Sequence, residues 1–306
     1  FDLPVITERI VNIVNPKAII LIETELWPNF LRLAWRKKIP VMMMNGRISG
    51  RSMRRYSLIK RFTTRMLLQI RKFCMQSKID RERIISMGAI PKRVVITGNT
   101  KYDQTYAEVS EEERAKLRRE FRFEGKGPII VAGSTHGGEE EIVVRTFGKV
   151  LEKYPDARLL LAVREITRAA SVRFMIKHQG YTVLRRSKMG TDEDDGKGAQ
   201  IVILDTIGEL GRLYSLADVV FVGGSFVKVG GHNILEPAAH GKPVLVGPYM
   251  FNFQEIFELL SQRGVCIMTP DEKSFETTLL DLLGNPEKMK KMGEAALEVV
   301  HENQGA

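Results

Sequence analysis

The chain has 306 residues, 43% of them hydrophobic, with 47 Lys and Arg against 37 Asp and Glu, a formal net charge of +10. This length buries a sizeable core and divides into about two domains. No run approaches the ~18 uninterrupted apolar residues of a membrane span and no charged-then-apolar leader stands out, so a soluble, cytosolic protein is expected.

From the N-terminus onward, short apolar runs alternate with longer amphipathic stretches. The runs are AIILIE (18–23), VMMMN (41–45), FCMQS (73–77), VVITG (94–98), PIIVAGS (128–134), RLLLAV (158–163), IVILD (201–205), VVFVGGS (219–225) and PVLVG (243–247). This rhythm predicts βα units on two parallel sheets. Between residues 31 and 101 nineteen Lys and Arg face two acids, Asp80 and Glu82, so this segment alone exceeds the excess of the whole chain. Such a block implies an anionic partner: nucleic acid, an acidic membrane surface or a phosphorylated substrate. Within it, a helix from about Arg51 places Met53, Tyr56, Ile59, Phe62 and Met66 on one stripe, predicted to be core, with most cations on the other faces. Cys74 and Cys266 sit in strand-like runs far apart and read as buried free thiols of a reducing compartment.

The polar stretch YDQTYAEVSEEERAKLRREFRFEGKG breaks the alternation and predicts a linker over 104–127, between an N-terminal domain over 1–103 and a C-terminal domain over 128–306. RRSKMGTDEDDGKGAQ (185–200) is acidic and glycine-rich, but it lacks the ligand spacing and closing Glu of a calcium loop and reads as solvated.

The residues that carry chemistry cluster after predicted strands. In a doubly wound sheet those loops face the ligand crevice. In FVGGSFVKVGGHNILEPAAHGKPVLVGP (221–248), Gly223, Gly224, Gly230 and Gly231 offer unobstructed backbone, and a helix beginning near Asn233 aims free N–H groups at an anion. Glu236, one turn into that helix, suits the paired hydroxyls of a ribose. Plain turn glycines and a surface Glu are the simpler alternative. Ser134, Thr135 and His136 end another strand and offer hydroxyls and N–H groups to an anion; simple helix capping is compatible with this. Gly208, Glu209 and Leu210 begin a short helix whose main chain suits a base edge, and a capped connector explains them equally well. Arg164 ends a strand as a counter-charge for phosphate or carboxylate.

The chain resembles the 3-deoxy-D-manno-octulosonic acid (Kdo) transferases of lipopolysaccharide biosynthesis. The resemblance rests on ETELWPN (23–29), NGRIS (45–49), GNTKYD (98–103), STHGGEE (134–140), the glycine-rich stretch above, Asn252 with Phe253, and ENQGA (302–306). It implies a GT-B glycosyltransferase of two Rossmann-like domains, an N-terminal one for the acceptor and a C-terminal one for CMP-Kdo, with the reaction in the cleft. Also implied is an inverting, metal-independent attack by a hydroxyl of the lipid A precursor as CMP departs, with no cofactor. Ser134, His136, Arg164 and the helix start at Asn233 then stabilise the leaving group; Asn252 belongs to the donor site. The work takes place at the cytoplasmic face of the inner membrane, against an anionic surface. Family members begin with a membrane-proximal helix and a glycine-rich turn whose Glu is taken as general base; nothing here corresponds, so the N-terminal domain is expected to be incomplete and the fragment to lack that base. Glu23 and Glu25 remain, with Glu25 preferred because it lies just past a strand end; its alternative is a cap for the helix at Trp27 and Pro28. Arg47, after VMMMN, is expected to meet an acidic sugar or phosphate. Two departures are Arg164-Glu165-Ile166-Thr167-Arg168, where the family tends to Arg-His-Pro-Glu-Arg, and Tyr249, where a His is common.

Two other functions fit parts of the chain. A GT-B enzyme using a UDP-sugar also wants the glycines and the ribose Glu, although a diphosphate calls for more cations than the donor half offers. A nucleic-acid-binding module explains the basic block, but it calls for aromatics interleaved with the cations on an exposed platform.

Overall fold

The computed structural model describes residues 2–103, 109–123, 125, 127–191 and 197–306. They form two compact units, 1–104 with 303–306, and 105–302. The first runs α1 (Pro4–Val14), β1 (Ile19–Ile22), α2 (Pro28–Arg36), β2 (Val41–Gly46), α3 (Gly50–Ser57), α4 (Lys60–Leu67), β3 (Lys72–Met75), α5 (Lys78–Ser86) and β4 (Val94–Ile96). The second runs α6 (Glu111–Glu120), β5 (Ile129–Thr135), α7 (Glu139–Lys153), β6 (Arg158–Val163), α8 (Ala169–His178), β7 (Val183–Arg185) and β8 (Ile201–Leu204), then α9 (Leu210–Leu213), β9 (Val219–Val222), α10 (Leu235–Ala239), β10 (Val244–Val246), α11 (Gln254–Gln262), β11 (Cys266–Met268), α12 (Glu272–Leu283) and α13 (Pro286–Glu302).

Every strand pairing is parallel among the described residues, in the orders β1-β2-β3-β4 and β11-β10-β9-β5-β6-β8-β7. The nine predicted strands are all present; β7 and β11, three residues each, occupy the two edges of the larger sheet. In that sheet β6, β8 and β9 are buried on nearly every residue, as helices on both faces require. α7 supplies one cover, with Val143, Val144, Phe147 and Val150 at helical spacing packed on the core of β5, β6 and β9. The chain leaves β5 in one direction for β6 and later returns to β5's other side as β9, which puts a topological switch point between the two strands.

Among the described residues, the smaller sheet is covered on one face only. Leu21, Val41, Met43, Phe73 and Met75 point into a core with Leu31, Ile48 and Ile70, while Ile20, Ile22, Met42, Met44 and Ile96 are exposed. Among cysteines, Cys266 is buried and Cys74 half-buried, and both are free thiols.

Three expectations change. The stretch 104–127 contains α6, because Ser110 caps it, Glu111 to Glu113 favour its first turn, and Leu117, Phe121 and Phe123 are buried; residues 104–108, 124 and 126 lie outside the described residues, as do 192–196 of the acidic loop. Residues 303–306 belong to the first unit, where the Asp103 carboxylate accepts from the amides of Gly305 at 2.5 Å and Ala306 at 3.0 Å. Finally, the single basic helix is two. The chain breaks at Ile59 (φ −117°, ψ 39°), which restarts the helical phase. Met66 is buried and Met53 and Tyr56 half-buried, but Ile59 and Phe62 are exposed instead of core, beside Leu58 at 86%.

The loop after β2 depends on one buried carboxylate. Asp80, in the first turn of α5, accepts from the Ile48 amide at 2.7 Å and the Ser77 hydroxyl at 2.6 Å, while Arg83 donates to the Ile48 carbonyl at 2.8 Å. Asp80→Ala leaves the Ile48 amide buried without a partner and is expected to cost about 1–3 kcal/mol in urea unfolding; an unchanged midpoint would mean that Arg83 holds the loop unaided.

Candidate functional site

The loops after β5 and β9 meet at the switch point, fastened by a residue that the sequence does not single out. Glu139 opens α7 and is fully buried. Its Oε2 accepts from the amides of His136 at 2.9 Å and Gly224 at 2.7 Å, and its Oε1 from those of Ser225 at 3.0 Å and Phe226 at 2.8 Å. Four N–H donors replace the water that a carboxylate loses on burial. Gly223 has no room for a side chain here, since a Cβ would stand 2.5 Å from the Ser134 carbonyl oxygen and 2.8 Å from Glu139 Oε2.

This clamp sets the loop that carries Ser134, Thr135 and His136. Ser134 is left-handed (φ 55°) at the bulge where the β5–β6 register shifts, a conformation that an L-residue keeps only when its surroundings impose it. Thr135 turns inward: it is fully buried and its hydroxyl donates to the Ala162 carbonyl at 3.4 Å. His136 turns outward and meets His232, with the two Nε2 atoms 2.8 Å apart. Burial, His136 and Arg164 together push His232 down to about 4. Arg164 follows β6, its amide bound to the Thr135 carbonyl at 2.9 Å and its side chain exposed without a hydrogen bond among the described residues. The other arginine of that turn, Arg168, instead grips buried Glu140 with its two terminal guanidinium nitrogens, at 2.8 and 3.3 Å.

The glycine-rich loop is packed against its own protein. The amides of Gly230 and Gly231 both donate to the Gly224 carbonyl, at 3.1 and 2.8 Å. Gly230 (φ +105°) is hemmed in by Asn252 and Phe251, and Asn252 Nδ2 donates to the Val229 carbonyl at 2.9 Å. α10 begins at Leu235 and has five residues, too short for the anion-binding terminus expected near Asn233. Asn233 acts through its side chain: Oδ1 accepts from the Leu235 amide at 3.1 Å and Nδ2 donates to Glu236 Oε1 at 3.2 Å. Glu236 is half-buried, and burial raises its pKa against the hydrogen bond from Asn233. Its Oε2 lies 3.9 Å from where a Cβ on Gly211 would stand, so the turn at Gly208, Glu209 and Leu210 is its neighbour. The Glu209 side chain is occupied elsewhere. Burial alone would raise its pKa, but bonds from Arg186, Thr206 and Arg212 prevail and push it down to about 2.

In the first unit, Glu23 and Glu25 follow β1 and Arg47 follows β2, and the Thr24 hydroxyl binds the Arg47 carbonyl. Glu23 is exposed and left-handed (φ 59°) and makes no side-chain hydrogen bond among the described residues. Glu25 accepts from the Trp27 indole N–H at 2.5 Å, at the edge of an apolar cavity of about 560 Å³ lined by Ile6, Ile10, Leu21 and Phe30. Capping of α2 falls to Asp2, whose carboxylate accepts from the amides of Asn29 at 2.7 Å and Phe30 at 2.9 Å.

The donors gathered on Glu139 generate a prediction. Glu139→Ala strands two buried amides, Gly224 and Ser225, at about 1–3 kcal/mol each, and two part-buried ones, and is expected to cost at least ~3 kcal/mol in the denaturant unfolding of the second unit, with Glu139→Gln in between. A cost below ~1 kcal/mol would show that water satisfies these amides.

Comparison with known proteins gives the family. Residues 1–104 match the family described as 3-Deoxy-D-manno-octulosonic-acid transferase (kdotransferase), and residues 191–299 match Glycosyl transferases group 1. A 3-deoxy-D-manno-octulosonic acid transferase of Haemophilus influenzae is 38% identical over 306 residues, which is 100% of this chain and 70% of that protein. One of Bordetella pertussis is 30% identical and covers 97% of this chain and 68% of its own length. The crystal structure of the C-terminal CMP-Kdo binding domain of WaaA from Acinetobacter baumannii superposes with a TM-score of 0.55 at 27% identity, covering 62% of this chain and 96% of that one. Two parallel α/β units together with these matches make the fold GT-B, and the chain belongs to the 3-deoxy-D-manno-octulosonic acid transferase family of glycosyltransferases.

Proposed function

We propose that the protein transfers Kdo from CMP-Kdo to the lipid A precursor, lipid IVA, with inversion at the anomeric carbon and without a metal ion. The observation that carries this is the cluster at the switch point, where Ser134, His136, Arg164 and His232 offer an anion hydroxyl, imidazole and guanidinium groups, and Glu236 stands beside the turn at Gly208. The order suits a nucleoside monophosphate: Glu236 takes the ribose hydroxyls, the main chain of 208–210 borders the base, and the histidines and Arg164 face the phosphate. Kinship with a CMP-Kdo binding domain supports the same donor.

In the transfer, an acceptor hydroxyl attacks the anomeric carbon, its proton passes to a carboxylate, and the C–O bond to CMP breaks with the electron pair leaving on the phosphate. The cationic cluster stabilises that charge where it develops. Glu23 and Glu25 are the proton acceptors that this chain offers. Glu25 is tied to Trp27, which leaves Glu23 the freer of the two, and Arg47 is the group we assign to an acidic sugar or phosphate.

The acceptor is an anionic glycolipid, so the first unit works against the cytoplasmic face of the inner membrane as a peripheral protein. No described helix is long and apolar enough to cross a membrane. Support comes from the break between α3 and α4, which presents Leu58, Ile59 and Phe62 among Arg54, Arg55, Lys60, Arg61 and Arg65, all exposed. Apolar tips ringed by cations suit a lipid interface, with ~1 kcal/mol of attraction per basic residue near an anionic surface. Nucleic acid is not a partner in this reading.

Two experiments test it. Calorimetry should detect CMP binding, weakened in Glu236→Ala by ~1.5–3 kcal/mol, the worth of a hydrogen bond to a charged group; equal affinities would remove Glu236 from the ribose site. Vesicles with anionic lipid should sediment the protein at low salt far better than neutral ones. Arg54→Glu with Arg55→Glu should at least halve the bound fraction, and Leu58→Ser with Phe62→Ser should abolish what resists salt. Binding indifferent to all four changes would place the membrane contact elsewhere.

A further inference from the structure

We infer that His136 and His232 share a single proton across their Nε2···Nε2 contact, and that this proton makes capture of a nucleoside monophosphate proton-linked. The inference rests on the donor-site reading above and concerns His232 as much as His136. The Nε2 atoms are 2.8 Å apart and the ring planes lie within 2° of parallel. At that separation one nitrogen donates and the other accepts, because two N–H groups cannot face each other.

The rest follows from counting protons on four ring nitrogens. In the neutral pair the donating ring carries its proton on Nε2 and has a bare Nδ1, while the accepting ring carries its proton on Nδ1. One added proton fills the bare Nδ1. The pair is then a monocation with two Nδ1–H donors, and neither Nδ1 has a hydrogen-bond partner among the described residues. A phosphoryl oxygen is repelled by a bare lone pair and held by an N–H, so an anionic phosphate selects the protonated pair. A second proton is refused, in keeping with the depressed pKa of His232.

The surrounding charges do not cancel this effect. Arg164, at the end of β6, opposes a positive charge on His232, and an anion bound between them offsets that opposition. Glu139, beneath the loop, has its carboxylate taken up by four amides. Lys228, on the glycine-rich loop, lies 5.9 Å over the Tyr249 ring.

Calorimetric titration with CMP at about pH 7.5, in two buffers of different ionisation enthalpy, reads the protons taken up. Uptake near one proton is expected, with affinity falling about tenfold per pH unit on the alkaline side. The double variant His136→Gln with His232→Gln, in which neither side chain titrates, should bring uptake near zero and flatten that dependence. CMP binding with no uptake by the wild type overturns the linkage and leaves the donor reading standing. Failure of CMP to bind overturns the donor reading, and imidazole NMR of the ligand-free protein then decides the shared proton. One proton entering both rings together supports it, and two rings titrating independently with a common midpoint overturn it.

Discussion

A carboxylate without water and without a cation has to be surrounded by donors, and in the second unit the surroundings of Glu139 are the site. Its four amide partners belong to the loops after β5 and β9. Holding them fixes where His136 and the glycine-rich loop stand. Gly223 completes the arrangement by letting the β9 loop approach the Ser134 carbonyl. The first unit uses the same device on a smaller scale, with Asp80 of α5 gripping the Ile48 amide just past Arg47. In both, a side chain from a helix's first turn fastens a neighbouring strand-end loop, so the loops that carry chemistry are the rigid ones.

Part of the strain in the backbone has a matching distribution: of six non-glycine residues with positive φ among those described, Asn15, Lys38 and Arg122 follow helix ends and the other three do not. Glu23, Asn45 and Ser134 are left-handed, and each sits at the C-terminal end of a parallel strand. A doubly wound sheet gathers its ligands at those ends. Asn45 shows how the conformation is imposed: its carbonyl accepts from Gln76 Nε2 at 2.9 Å and its Oδ1 from the Thr100 amide at 3.2 Å. Local preference yields to contacts made from other strands.

Much of the fold was legible because its parallel strands read as continuous apolar runs, whether buried on both faces, as in the larger sheet, or on one, as in the smaller, and the nine runs are nine strands. The edges β7 and β11 escaped because three residues carry no periodicity. The α3–α4 corner escaped because the stripe from Met53 to Met66 keeps helical spacing across a break that only the backbone at Ile59 reveals. At the candidate site, residue types pointed to strand-end loops but not to the hydrogen bonds made within them. The Thr135 hydroxyl, expected to face an anion, is held by the protein itself, the Glu209 side chain is bound by its neighbours while its main chain was the expected contact, and the amides of Gly230 and Gly231 serve loop packing. Glu139 was hidden in Glu139-Glu140-Glu141, which reads as three favourable charges at a helix start; which of them is buried depends on amides far along the chain.

That separation governs when the site can exist during synthesis. The amides of Gly224, Ser225 and Phe226 follow Glu139 by 85, 86 and 87 residues, and β5 pairs with β9 across a similar interval. A growing chain that has reached α7 holds a carboxylate with one local donor, the His136 amide, and no means of burying it. Closing so long a loop is slow compared with forming the helices and the β5–β6 pair. The donor loops are therefore assembled after the elements that support them, and a chain arrested before Phe226 carries the His136 segment without the partner that gives it a shape.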